Sequence, residues 1–168
     1  MRVIHIIPSA FGYFDDIRSR AFSILNAQHE LGVEVEAITL QYESPSRSVR
    51  QEVEESSPAV HSYQGDATVG EAFLHLDDSD LVILHASFFG AGGKVLRWAK
   101  KGKAPFFIVY HGQIVVTDFY SLIIKIYNWY YLPRLSRQAD YILDIQGENG
   151  LSARDIAEKA MSLYNSLV

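Results

Sequence analysis

Cysteine is absent from this 168-residue chain, which excludes disulfides, thiolate chemistry and cysteine-based zinc sites. The absence fits a reducing compartment and sets the expectation of a cytoplasmic protein. The start, MRVIHII, lacks a signal peptide's basic segment, long apolar core and small-residue cleavage site, and reads as a buried first strand. Runs of about 18 uncharged apolar residues are missing too, which argues against a membrane span. Basic residues are in the minority, 15 against 20 acidic, for a net charge of −5. Phosphate contacts need clustered Lys and Arg, so no nucleic-acid partner is expected. The one compact basic run, Arg97 to Lys103, falls at a helix end, where cations complement the helix dipole.

Several signature motifs are also lacking. G-x-G-x-x-G does not follow the first strand, where only Gly12 stands, and G-x-x-x-x-G-K-[ST] occurs nowhere. A dinucleotide-binding Rossmann site and a P-loop are therefore disfavoured. H-E-x-x-H is absent, so no metal site is expected. Without G-x-S-x-G, the trio Ser87, Asp118 and His111 has no nucleophile elbow to support a triad.

What is present is a regular alternation. Val- and Ile-rich apolar runs alternate with helical patterns, and no internal repeat or low-complexity tract interrupts them. Strands are expected at 3–7, 33–40, 59–64, 80–86, 106–110 and 141–145. The first helix spans about 17–31, with Asp15 or Asp16 as its cap and Gly32 as its stop; Ala21, Ile24, Leu25 and Gln28 share one face. Residues 43–57 read as a polar surface loop with a short helix. Thr68 to Glu71 form a capping box opening a helix to Leu76. Further helices follow at 92–102 and 119–137, the second bent or shortened by Pro133. Ser152 caps the last helix, which runs to about Leu167. Six alternations of buried strand and helix imply one domain, an open, mostly parallel Rossmann-like α/β sheet with helices on both faces. Ligands of such sheets bind outside the carboxyl ends of the strands.

Three loops converge on that edge, after the first strand, the Leu81 strand and the Phe106 strand. Gly90, Gly92 and Gly93 form either a tight strand-to-helix turn or an anion cradle. Of six histidines, His5 lies mid-strand as a hydrogen-bonded core or rim group, and His29 is solvated. His61 and His75 have no partners at useful spacing. His85 and His111 both end buried strands, and each fits a functional imidazole or a structural turn. The helix at 119–137 is apolar almost all round, with Tyr and Trp in its middle and Arg134 and Arg137 at its end. It is packed on several sides or lies at a lipid interface.

Five segments in order, MRVIHIIPSAFG, AQHELGVEVEAITL, DDSDLVILHASFF, KAPFFIVYHGQ and SRQADYIL, resemble the N-terminal half of a GT-B-fold glycosyltransferase of the retaining family 4, group 1. The resemblance covers residues 1–144 and implies an acceptor-binding domain. It implies a catalytic role for His111, near the transferred sugar. For Gly12 it implies an approach to the donor diphosphate and acceptor; Tyr13, His85, Ser87, Gly112 and Gln113, on the same converging loops, are the other expected substrate contacts. In place of the family's Gly-Gly pair the first loop reads AFGYFDD, and no two glutamates stand eight apart as in the family's E-x7-E motif. The resemblance therefore implies an acceptor half without its nucleotide-sugar-binding domain, inactive alone, with the donor expected only on the full-length enzyme. The expected division is a domain at 1–145, a linker at 146–151, and a helix at 152–168 returning onto the domain through Ile156, Ala160, Leu163 and Leu167. The expected partners are a sugar or lipid-linked acceptor, the donor domain, and a membrane surface reached through Phe119 to Arg137. The rival expectations are a binding module and an unrelated flavodoxin-like domain.

Overall fold

The computed structural model describes residues 1–8, 12–41, 60–64, 76–146 and 151–168. Six parallel strands form one sheet: β1 (Arg2–Pro8), β2 (Glu34–Gln41), β3 (Val60–Gln64), β4 (Leu81–Ala86), β5 (Phe106–Tyr110) and β6 (Tyr141–Asp144), in the order β3-β2-β1-β4-β5-β6. The central strands VIHIIP, LVILHA and FFIVY are nearly or fully buried along their length. Such continuous apolar runs suit a parallel sheet covered on both faces, where alternation would waste one side. The expected short helix at 43–57 and the capping box at Thr68 lie outside the described residues.

Helices α1 (Asp15–Glu30) and α4 (Ala153–Asn165) cover one face; α2 (Gly92–Ala99) and α3 (Phe119–Ser136) cover the other. Val3, Ile7, Leu81, Ile83, Phe107 and Val109 point to the first face, and Ile4, Ile6, Val82, Leu84, Phe106 and Ile108 to the second. This is the period-2 alternation of strands read off two buried layers.

Local chemistry sets the helix ends. The expected Asp15 or Asp16 cap on α1 is not found: a 3₁₀ turn, Gly12–Phe14, leads directly into the helix. Both aspartates lie inside the first turn instead, where their charge still favours the helix N-terminus, and Asp15 pairs with Arg18 at 3.0 Å. Phe14 is fully buried against Ile17 and Ile124, which anchors that turn. Asp118 and Ser121 form a reciprocal capping box on α3. Pro133 does not shorten α3, which continues to Ser136 with Leu135 fully buried in its last turn. On α4, Ser152 and Asp155 form the expected box. Ile156, Ala157 and Ala160 are buried where α4 lies along α1, whereas Leu167 is 44% exposed and outside that contact. The helix ends at Asn165, so its face does not extend that far.

Candidate functional site

The strand order reverses direction between β1 and β4, which opens a crevice at their carboxyl ends. β5 brings His111 and Gly112 to the same edge. The His111 backbone N–H donates to the Ala86 carbonyl at 2.7 Å, extending the ladder one residue beyond the strand. Gly112 then turns with φ +113, a conformation that L side chains rarely adopt. A Cβ there would also lie 3.0 Å from the Gln146 side chain. The Ser87 hydroxyl donates to the Gly112 carbonyl at 2.9 Å and ties the β4 and β5 loops together. Asn128 of α3 clamps the neighbouring residue: Phe88 N–H donates to Asn128 Oδ1 at 3.0 Å, and Asn128 Nδ2 donates to the Phe88 carbonyl at 2.7 Å.

Two cavities open along this edge. The first, about 340 Å³, is bordered by Tyr13, Asp16, Arg20, His111, Gly112 and Gln113 among others. The second, about 330 Å³, lies against α3 and includes Ser87, Tyr110, Lys125, Asn128, Trp129 and Leu132. Gln113 and Ile114 border both. The Tyr13 hydroxyl donates to the Asp118 carboxylate, so the β1 loop and the start of α3 meet at the rim. Asp118 is held below the usual carboxylate range by the Ser121 N–H and by Tyr13, and Tyr13 is raised by the same carboxylate.

The structure separates the residues picked from the sequence. His111, Gly112, Gln113 and Tyr13 share the first cavity; Ser87 and Gln113 reach the second. Gly12 borders neither of these cavities. It is exposed, and an added Cβ would meet only Asp15 at an ordinary 3.6 Å, so close approach does not require glycine there. His85 is corrected from a direct substrate contact to a buried link. It has no exposed surface, and both ring nitrogens are engaged by other histidines. Gly90 to Gly93 take the turn reading. Gly92 N–H donates to the Tyr127 hydroxyl at 2.6 Å, and the Tyr127 and Tyr131 rings fill the space a Cβ would need.

One arrangement was not visible in the sequence. Gln28 Oε1 accepts from His5 Nε2 at 2.7 Å; His5 Nδ1 and His85 Nε2 lie 2.9 Å apart; His85 Nδ1 and His111 Nε2 lie 2.8 Å apart. The three rings cross the sheet under α1. His5 stands opposite Ile83 and His85 opposite Val109, so each histidine sits two residues nearer the carboxyl edge than the one before. A shift of two keeps all three on one face. Burial pushes His5 down to about 4, with the Gln28 bond acting the other way. Burial and the Arg20 charge push His111 down to about 4, and burial with its two histidine neighbours holds His85 well below the ordinary range. All three are neutral at pH 7. Among the described residues no group of three or more His, Asp or Glu is placed to hold a metal ion.

A doubly wound α/β domain with a polar crevice at its switch point defines a class that handles small ligands at that edge. The chain belongs to Glycosyltransferase Family 4, whose family model matches residues 18–144. Membership gives the protein a glycosyltransferase-type role and disfavours the flavodoxin-like alternative. No curated protein matches the chain. Two solved structures share the fold. A protein of unknown function from Vibrio parahaemolyticus superposes with a TM-score of 0.51 at 14% identity, covering 88% of this chain and 94% of that one. A possible 1-phosphofructokinase from Thermotoga maritima gives 0.53 at 12% identity, covering 97% and 68%.

Proposed function

We propose that this domain is the acceptor side of a retaining GT-B glycosyltransferase, with His111 beside the transferred sugar and the nucleotide-sugar donor held by a second lobe. The observation that carries the reading is the pairing of His111 and Gly112 on the wall of a 340 Å³ crevice, in a chain of this family. Transfer needs groups placed from both sides of the reacting centre, so turnover belongs to the two-lobed assembly. Tyr13, Gly112 and Gln113 contact the acceptor, and Ser87 holds the Gly112 loop from behind.

The paired cavities support an amphiphilic acceptor. The first offers hydroxyl, imidazole and guanidinium groups; the second is walled by Trp129, Leu132, Ile114 and Pro133. A sugar head in the first and an apolar tail along the second fit a lipid-linked acceptor. The outer face of α3 continues that apolar surface, with Phe119, Tyr120, Ile126 and Trp129 all more than half exposed. Lys125, Arg134 and Arg137 lie on the same helix end or flank. Tyr and Trp suit a boundary that is oily on one side and wet on the other, and the cations suit anionic headgroups. Among the described residues no helix is long and apolar enough to cross a membrane, so contact would be peripheral.

The test is a backbone-amide NMR titration of this chain with short-chain polyprenyl-phosphate sugars, with the free sugars and nucleotide sugars as separate arms. Shifts confined to Tyr13, Arg20, Gly112, Gln113 and Trp129, saturating with the lipid-linked compounds alone, are expected. Saturable binding of a nucleotide sugar to this chain at millimolar strength or tighter, or shifts at the opposite strand ends, would overturn the assignment.

A further inference from the structure

The Gln28–His5–His85–His111 chain does more than fill space. Each of the two links between histidines places two ring nitrogens within 2.9 Å, and between two neutral imidazoles one nitrogen must donate and the other accept. The choice at one end therefore propagates to the other. Gln28 Oε1, which only accepts, sits 2.7 Å from His5 Nε2, so that nitrogen carries the proton. His5 Nδ1 is then a bare acceptor, and His85 must donate to it from Nε2. His85 Nδ1 is bare in turn, and His111 donates from Nε2. What remains is His111 Nδ1, a lone pair with no partner among the described residues and with no accessible surface of its own, on a residue that borders the first cavity.

The reverse polarity needs the Gln28 amide turned round and puts an N–H on His111 Nδ1. Arg20 opposes it. This cation borders the same cavity and acts electrostatically on His111, and a positive charge favours a lone pair over an N–H at the free nitrogen. Asp16 and Tyr13 also line this cavity, but among the described residues the only charge acting on His111 is Arg20.

We propose that Gln28, His5 and His85 are positioning residues that fix His111 as a single neutral tautomer, with Nε2 protonated and Nδ1 reserved as the acceptor for a ligand hydroxyl. A bare nitrogen takes a hydrogen bond from an O–H donor and rejects a carbonyl, carboxylate or phosphate oxygen. Once a ligand opens a path to it, this nitrogen takes a hydroxyl rather than an anion. That the hydroxyl belongs to a sugar rests on the function proposed above; the tautomer does not.

Long-range ¹H–¹⁵N correlation NMR of the uniformly labelled full chain at pH 7 reads the tautomer without any ligand. All three histidines are expected with a protonated Nε2 and a bare Nδ1. Gln28→Glu keeps an acceptor at the buried end, and His111 retains this pattern. Gln28→Met removes the acceptor at similar length, and His111 becomes a mixture of two tautomers while the backbone spectrum stays dispersed. A wild-type His111 protonated at Nδ1, or at both nitrogens, overturns the proposal. So does a folded Gln28→Met chain with an unchanged His111 signature. Should Gln28→Met not fold, the wild-type and Gln28→Glu spectra still decide. Failure of sugar binding with the expected tautomers in place would count against the acceptor role alone.

Discussion

His111 and Gly112 share an edge but depend on different physics. Gly112 is dictated by backbone geometry, since φ +113 strains any L side chain, and a Cβ would in addition crowd the Gln146 side chain. Gly112→Ala is expected to cost about 1–3 kcal/mol, the usual scale of a strained backbone position. Gly12→Ala, exposed and without a close neighbour, should stay within about 0.5 kcal/mol. Urea unfolding of the two variants checks the contrast, and equal midpoints would contradict the geometry. Gly112 was legible because a glycine directly after a buried strand announces a turn. Gln28 was not. In the sequence it is a polar residue on the inner face of a helix, and only the packing of α1 over β1 shows what it bonds. His85 was misjudged for the same reason: its position at a strand end pointed to a ligand, while the register buries it beneath the sheet's covering helix.

At the level of elements, the strands were readable because burial on both faces demands unbroken apolar runs, and no helix of this length could be written with FFIVY alone. Of the helix ends, the box at Ser152 was readable; the α3 start near Phe119 was readable but not the Asp118–Ser121 box that fixes it, and the α1 entry was misread, since a buried Phe14 rather than an aspartate fixes it. The join between α3 and the β4 loop could not be read at all. Asn128 looks like one polar residue in an apolar helix, yet it satisfies both backbone groups of Phe88. Asn128→Leu leaves a buried N–H and a buried carbonyl without these partners, at a cost on the order of 1–3 kcal/mol for each. Hydrogen exchange at Phe88 should accelerate more than at β5, so the loop opens before the sheet does. Uniform acceleration across β4 and β5 would instead mean that Asn128 supports the whole fold. On the opposite face, Ile156 is 5% exposed between α4 and the sheet core. Ile156→Ala is expected to destabilise by about 2–5 kcal/mol, the range for truncating a buried aliphatic. A chemical-denaturation midpoint shift corresponding to less than half a kilocalorie would show that α4 merely rests on the surface.

Over the whole molecule, the buried histidines tie stability to pH. The unfolded chain binds a proton on each with a pKa of about 6.5. In the folded protein burial has lowered His5 and His111 to about 4 and His85 well below the ordinary range. Between those values the unfolded state holds more protons than the native one, so stability falls as the pH is lowered. The window opens near 6.5 and extends to about 4. Each histidine contributes a slope of roughly 1.4 kcal/mol per pH unit within it, so three together approach about 4. Across the full window that amounts to about 10 kcal/mol, which takes up most or all of an ordinary domain's net stability of about 5–15 kcal/mol. Asp118 and Asp155, whose native values are depressed by their capping bonds, act below the ordinary carboxylate range and leave the upper part of the window to histidine. Calorimetric melting should therefore be nearly flat from pH 8 to 7 and drop steeply below 6.5, with close to three protons taken up on unfolding near pH 5. His5→Gln, which removes one ring from the chain, should lower that uptake by about one proton whatever it does to the melting temperature. An uptake near zero at pH 5, or one unchanged by the substitution, would mean that the rings are already charged in the native protein and that no neutral chain crosses the sheet.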